Sequence, residues 1–176
     1  MIRKLIGTMA IAAVMAVPAQ HASAQVSLGY TDIGGVIGIG NLGGANISFG
    51  GRFEHVFKAL PDLGNGLLGI GVSADFYSFS SSYFNIKYIP IGATGNYHFK
   101  LENKKIDAFV GAGLGYTAVT CSQTLTTYNL GCGYSSGLYF IGRAGGRYFL
   151  NSNLAGYADV GAGAALLNVG LTFKIK

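Results

Sequence analysis

The segment from Leu167 to Ile175 alternates apolar and polar residues without a break. Neighbouring side chains of a β-strand point to opposite faces, so this segment predicts a strand with one apolar and one polar face. The same period of two recurs through most of the chain. This repeated pattern restricts the fold to a sheet of two-sided strands.

Seven further segments keep the alternation over strand length. We therefore predict eight strands, at Val26–Ile33, Ala45–Phe57, Leu68–Ser78, Tyr88–Phe99, Asp107–Thr117, Phe140–Leu150, Leu154–Ala162 and Leu167–Ile175.

The charged residues of these strands lie on the face opposite the apolar one. A soluble barrel or sandwich has the reverse arrangement, with apolar side chains inside and charges outside. Apolar residues outside and polar residues inside are typical of a barrel that crosses a lipid bilayer. The predicted interior polar network consists of Arg52, Glu54, Asp75, His98, Asp107, Arg143, Arg147 and Asp159, with Lys174 on the same face of the last strand.

The first residues predict export from the cytoplasm. Arg3 and Lys4 precede an apolar run from Leu5 to Val17, and Ala22-Ser-Ala24 supplies small residues at a cleavage position. This three-part pattern is typical of a secretory signal peptide, so we expect cleavage after Ala24 and one domain over residues 25–176.

Composition agrees with β-strands in lipid. The chain has 29 glycines, 11 tyrosines, 11 phenylalanines and only 11% charged residues, and its mean hydropathy is +0.41. No segment after the signal peptide reads as a spanning helix. The net charge of +5, which falls to +3 once Arg3 and Lys4 leave, is too small and too scattered to indicate nucleic-acid binding.

The predicted connections alternate between short and long, as in bacterial outer-membrane barrels. Short turns occupy Ala59–Asn65, Leu101–Lys105 and Asn151–Asn153, whereas longer, Gly/Ser/Thr-rich loops occupy Gly34–Gly44, Phe79–Ile86 and Thr120–Gly137. With both termini in the periplasm, the count requires an even number of strands, about eight. An interior of that size is just filled by side chains, although its many glycines keep a narrow channel open as an alternative.

The hairpin between the sixth and seventh predicted strands suggests specific ion pairs. Pairing Leu150 with Leu154 sets Asp159 diagonal to Arg143 and Arg147, which predicts one network of these three residues. A similar register in an earlier hairpin brings Arg52 near Asp75, with Glu54 sharing that cluster. The network is interpreted as structural, and a polar conduit or ligand site is the alternative.

If the turn between their strands holds four residues, His98 lies across from Asp107 in a further predicted hairpin. Such a pair needs a nucleophile or a metal ion to be catalytic, and neither converges on it in the sequence. We therefore expect no enzyme activity, no cofactor and no metal.

Two cysteines, Cys121 and Cys132, lie in the longest predicted loop. Secreted proteins pass through an oxidising compartment, and no His or acidic residue between the two supports a metal site. We predict that they form a disulfide within this loop.

The chain resembles the bacterial outer-membrane β-barrel family of small OmpA/OmpX/opacity-like proteins. The resemblance rests on Tyr88-Ile-Pro-Ile91, Asn96-Tyr-His-Phe99, Phe109-Val-Gly-Ala-Gly-Leu-Gly-Tyr116, Tyr157-Ala-Asp-Val-Gly-Ala-Gly163 and the tail from Val169 to Ile175. It implies an all-β transmembrane barrel in the outer membrane, in contact with lipid and lipopolysaccharide and assembled by the barrel assembly machinery. Lys174-Ile-Lys176 follows Phe173, whereas the family's assembly signal ends in an aromatic residue.

The family contains structural barrels, adhesins and minor channels. We expect a structural or surface-interaction role in which the extracellular loops, chiefly Thr120–Gly137, contact an extracellular ligand. A narrow channel or small-ligand carrier through the glycine-lined interior is the alternative.

Overall fold

The computed structural model describes residues 26–81, 84–123 and 135–176. Eight antiparallel strands pair in chain order, and β1 pairs with β8 to close a barrel. The strands are β1 (Thr31–Ile39), β2 (Ile47–Leu60), β3 (Gly66–Ser80), β4 (Phe84–Phe99), β5 (Ile106–Gln123), β6 (Gly137–Phe149), β7 (Leu154–Ala162) and β8 (Leu167–Lys174). The predicted all-β barrel of eight strands is confirmed.

The outer surface of the barrel is an apolar belt. Phe49, Ile91 and Leu114 are each more than half exposed, although they lie in the middle of regular strands. A water-soluble protein rarely exposes so continuous an apolar surface, whereas a bilayer solvates it. The two ends of the belt carry the exposed aromatic residues Phe57, Phe99, Tyr116, Phe140, Tyr148 and Phe173.

The first strand differs from its predicted position. Val26–Ile33 is predicted as the strand and Gly34–Gly44 as a loop, but β1 runs from Thr31 to Ile39. The prediction is wrong because glycines occupy inward positions of β1 and hide its alternation. A Cβ on Gly38 would lie 2.3 Å from Ser48 Oγ and 2.7 Å from the Ala165 Cβ, so the crowded interior requires a glycine there.

The two ends of the barrel differ in shape. Three tight turns, at 61–65, 100–105 and 150–153, and the entry to β1 and exit from β8 define the turn end; the opposite end is the loop end. At the loop end, β3, β4 and β5 are 15, 16 and 18 residues long, against 9, 9 and 8 for β1, β7 and β8. The barrel is therefore much taller along β3–β5 than along the opposite wall.

Within the described residues, no helix is long and apolar enough to cross a membrane.

Candidate functional site

Arg147 is the centre of the turn-end ion network, which consists of Asp32, Glu54, His98, Asp107 and Arg147. Its Nε lies 2.9 Å from Asp32 Oδ2, its Nη1 lies 2.7 Å from Asp107 Oδ2, and its Nη2 donates to Glu54 Oε2. All four of these side chains are at most 5% exposed. Three carboxylates thus surround one guanidinium, whose planar fork of donors matches this geometry.

His98 connects two of those carboxylates. Its Nδ1 lies 2.9 Å from Asp107 Oδ1, and its Nε2 lies 3.0 Å from Glu54 Oε1. Carboxylates only accept hydrogen bonds, so this arrangement uses a proton on each ring nitrogen. His98 thus connects Glu54 and Asp107 within the turn-end ion network.

Apolar side chains pack beneath this network. Val26 and Tyr30 precede β1 and pack against Val56, Phe149 and Ala155. The Tyr30 hydroxyl donates to Asp32 Oδ2 at 3.0 Å. Burial raises the pKa of Tyr30 above its usual range, so the phenol keeps the proton that it donates. The segment before β1 therefore covers part of the turn end, and a cavity of about 260 Å³ beside it is lined by Val26, His98 and Asp107.

A second group of charges, the mid-barrel ion network, lies farther toward the loop end. Arg52 Nη1 is 3.0 Å from Asp75 Oδ1, and Arg143 Nη1 is 3.6 Å from Asp159 Oδ2. Asn168 links the two pairs, because its Oδ1 accepts from Arg52 Nη2 at 3.1 Å and its Nδ2 donates to Asp159 Oδ1 at 2.8 Å. Two guanidinium and two carboxylate groups balance each other in this network.

The eight polar residues singled out in the sequence all point into the barrel, but they form two networks with different partners from those expected. Gly145 pairs with Asp159 in the predicted register, and Arg143 lies beside Asp159. Arg147 does not join them. Its direct neighbour on β5 is Asp107, which an argument from the β6–β7 hairpin alone overlooks.

Glu54 also lies elsewhere than predicted. Arg52 and Asp75 pair, but Glu54 binds Arg147 and His98 instead of sharing that cluster. The reason is the register, which sets Glu54 beside Gly71, where the absent side chain leaves room toward β4.

Several network members are missing from the sequence prediction. Asp32 was assigned to the edge of the misplaced first strand, and the amides Asn96 and Asn168 were not singled out. Asn96 donates to Glu54 Oε1 at 2.6 Å. The alternation of each strand could have identified all three, because each occupies an inward-facing position.

The space between the two networks is small. A cavity of about 20 Å³ lies among Asp32, Arg52, Asn96 and Arg143. Such a volume holds about one water molecule. The described interior is therefore packed at this level.

The loop end of the interior is filled by an apolar cluster. Leu42, Tyr77, Ile86, Tyr88 and Ala165 are buried there, and the rings of Tyr77 and Tyr88 stack with centroids 4.7 Å apart. Leu42 comes from the β1–β2 connection and Ala165 from the β7–β8 connection. We call these five residues the loop-end cluster; they cover the mid-barrel network.

In the tall part of β3–β5, apolar side chains point inward and polar side chains point outward, which is the reverse of the rest of the barrel. Its inward residues Phe84, Val119 and Cys121 pack against the loop-end cluster. Its outward residues are polar and form cross-strand rows, Ser78–Lys87–Thr120 and Ser80–Asn85–Ser122. The region expected to be a loop over Phe79–Ile86 is thus largely strand. The reversal marks the height at which the apolar belt ends, and we call this part the β3–β5 wall.

Cys121 belongs to this end of the molecule. Cys121 lies near the end of β5, opposite Ile86. Cys132, its predicted partner, lies outside the described residues, so the disulfide stays a prediction. Part of the predicted Thr120–Gly137 loop is strand, because β5 continues to Gln123.

No group of three or more His, Cys, Asp or Glu side chains in the described ranges is arranged to hold a metal ion.

Comparison with known proteins identifies the fold. No family model and no curated protein sequence matches the chain. Among solved structures, the barrel is similar to Ail, the attachment invasion locus protein of Yersinia pestis, with a TM-score of 0.50, 14% identity, and coverage of 84% of this chain and 96% of Ail. Ail in complex with the heparin analogue sucrose octasulfate gives a TM-score of 0.50 and 14% identity over 82% of this chain and 93% of Ail.

A third structure, the outer-membrane enzyme PagL, gives a TM-score of 0.45 and 20% identity over 82% of this chain and 98% of PagL. At these identities the likeness concerns architecture. In fold, this chain is thus similar to the small outer-membrane β-barrels, with eight strands closed around a packed polar interior.

Proposed function

We propose that this chain is an integral barrel of the bacterial outer membrane with a structural and surface-interaction role. The observation that carries the proposal is the β3–β5 wall, which continues beyond the apolar belt and turns polar on its outer face. Within the described residues, the ladder of β5 with β6 ends at Thr117, whereas its ladder with β4 continues to Gln123, which adds about 20 Å of strand. This part of β5 extends away from the belt, and residues 124–136 follow it in the sequence.

In this proposal the turn end faces the periplasm and the loop end faces the outside. Residues 1–24 act as a signal peptide and are removed, and the barrel assembly machinery inserts the remaining chain. The belt then contacts lipid, and the loop end meets the lipopolysaccharide layer. The short turns and long connections at opposite ends support this orientation.

The channel alternative has less support. The interior contains two ion networks, a cavity of about 20 Å³ and the loop-end cluster in series, which leaves no wide path among the described residues. The glycines that suggested a pore are close-packed. A Cβ on Gly113 would lie 1.9 Å from the Ala93 carbonyl oxygen, so bulky substitution there disrupts strand pairing instead of blocking a lumen.

The chemistry of the loop end indicates the kind of ligand. Lys87 is the one charged residue among 40–46, 78–87, 118–136 and 163–166, and Ser, Thr, Tyr, Asn and Gly dominate these segments. Ail has been crystallised with a sulfated heparin analogue, but one lysine is a poor site for a polyanion. We infer that this chain binds an uncharged polar surface through hydrogen bonds and aromatic contacts.

Adhesion of bacteria that display the protein tests this function. Replacing residues 124–134 with a short Gly/Ser linker is expected to abolish binding to host cells or matrix, with the barrel still inserted. Binding by the intact protein should persist in about 0.5 M salt, because that ionic strength screens exposed charges and the proposed contacts are uncharged. A matched control replaces Ser152, in a periplasmic turn, with Ala. Unchanged adhesion after the loop replacement contradicts the surface role.

Planar-bilayer recording distinguishes the surface-interaction role from the channel alternative. The purified barrel is expected to give no reproducible single-channel steps, because water and ions find no continuous path through the networks. Reproducible steps from the wild-type protein would favour transport.

A further inference from the structure

The rim of the turn end is strongly basic. Among the described residues it carries two acidic side chains, Asp62 and Glu102, against six lysines. The lysines are Lys58, Lys100, Lys104, Lys105, Lys174 and Lys176. The loop end, in contrast, carries Lys87 alone. Most of the net positive charge of the chain is therefore concentrated at one end of the barrel.

The lysines are placed directly at the edge of the apolar belt. Phe57, Phe99 and Phe173 face outward and are 51%, 44% and 49% exposed, and each is followed in sequence by a lysine. At the first of these positions the register shifts between Val56 and Lys58, which leaves Phe57 and Lys58 both exposed. Phenylalanine in the acyl region and lysine next to it set the ammonium group at headgroup height.

Four of the six lysines are free to meet a ligand. Lys58, Lys100, Lys104 and Lys176 are exposed, whereas Lys105 and Lys174 are half-buried. The Lys174 ammonium lies 5.6 Å from the centroid of the Tyr30 ring, which holds it near the barrel mouth. The exposed four occupy three sections of the rim: the end of β2 (Lys58), the β4–β5 turn (Lys100 and Lys104) and the segment after β8 (Lys176).

We propose that this lysine rim binds the anionic headgroups of phospholipids in the membrane leaflet that faces the periplasm. The inference rests on the proposed membrane location and adds a lipid preference to it. Phosphate groups of an anionic lipid lie at the height of the ammonium groups and attract them, and each such lysine contributes to binding. A rim distributed around a cylinder fits many separate headgroups better than one soluble polyanion, which needs a compact patch.

Lipid selectivity in proteoliposomes tests the proposal. The mature barrel is reconstituted in phosphatidylcholine containing spin-labelled phosphatidylglycerol or spin-labelled phosphatidylcholine, and the motionally restricted fraction gives the relative association constant. We expect the protein to prefer phosphatidylglycerol by about fivefold. This is the preference expected when each bound lipid headgroup contacts one lysine. The preference should disappear in 0.5 M NaCl, where the Debye length is only about 4 Å.

Substitutions locate the preference on the rim. The variant K58Q/K100Q/K104Q/K176Q removes the four exposed charges and is expected to bind both lipids equally. The matched control Lys87→Gln removes the single cation of the loop end and should keep the wild-type preference. Heat-modifiable gel mobility of each variant in the same vesicles reports insertion separately from selectivity.

Three results would overturn the inference while leaving the barrel assignment intact. They are an inserted wild-type protein without selectivity, a rim variant that keeps it, and a Lys87→Gln variant that loses it. Binding of a soluble anionic glycan by the detergent-solubilised protein without any lipid preference would also overturn it, in favour of a cell-wall partner. Failure to insert at all would instead contradict the proposed function.

Discussion

The turn end and the loop end of this barrel fill the same cylinder with opposite chemistry. At the turn end, Arg147 and His98 hold three buried carboxylates. At the loop end, the stacked rings of Tyr77 and Tyr88 and the buried Ile86 replace the charges. The outer faces change in the reverse sense, from apolar belt to polar wall.

The difference follows from the surroundings of each region. A strand inside a bilayer has an apolar outer face, so its polar residues collect inside and need mutual partners. Above the belt, water contacts the outer face of β3–β5, and the inward side chains form a core like that of a soluble sheet. The same strands thus bury polar side chains below the row Ser78–Lys87–Thr120 and apolar side chains above it.

The largest effect on stability is expected from removing the guanidinium group of Arg147 at the turn end. Arg147→Met leaves Asp32, Glu54 and Asp107 buried around an apolar side chain, and we expect a loss of about 3 to 5 kcal/mol in the free energy of unfolding. Urea titration in detergent micelles, followed by heat-modifiable mobility, measures it. Arg143→Met is the matched control and should cost clearly less, because Arg143 contacts a single carboxylate at 3.6 Å. Equal losses would contradict the central role of Arg147.

The loop-end cluster should respond to a change of volume. Ile86→Ala removes a fully buried side chain, and we expect a loss of about 2 to 3 kcal/mol. Protease digestion of the inserted protein should then cut the β3–β5 wall faster while the belt stays protected. Ile89→Ala, three residues farther along β4 and facing outward, is the control and should change little. If the Ile89→Ala variant were digested faster instead, the proposed boundary between the apolar belt and the β3–β5 wall would be wrong.

A smaller effect is expected from single hydroxyl groups of the turn end. Tyr30→Phe removes the hydrogen bond to buried Asp32 and should cost about 1.5 kcal/mol in the urea titration. The control Tyr97→Phe removes a bond from the hydroxyl to the Leu63 carbonyl oxygen at an exposed turn and should cost less. If the Tyr97 variant lost as much as the Tyr30 variant, burial of the ion network would not explain the strength of its bonds.

Much of the fold was predictable because alternation is a local property. The inward facing of Arg52, Asp75 and Asp159 follows from parity alone, whatever their partners. The partners themselves were predictable only within hairpins, as for Arg143 with Asp159. The predicted partner of Arg147 is wrong because Asp107 lies on the neighbouring β5, outside the hairpin considered, and Asp32 and Glu54 lie on β1 and β2. Only closure of the barrel brings β1 and β2 opposite β6.

The β3–β5 wall escaped prediction for a different reason. Its strands keep the period of two, but here the polar face points outward and the apolar face points inward. A rule that reads polar segments as loops therefore fails at Ser80 and Asn85. Only the observed pairing of Ser80 with Asn85 shows that the strands continue.

The sequence by itself determined the closed sheet, its outward apolar face and the residues that enter its interior, because each depends on the period of a single strand. Only the tertiary structure decided which charges neutralise each other, which side chains pack at the two ends and where the belt ends. Those features depend on contacts between strands distant in the chain, whose register is set by closure of the whole barrel.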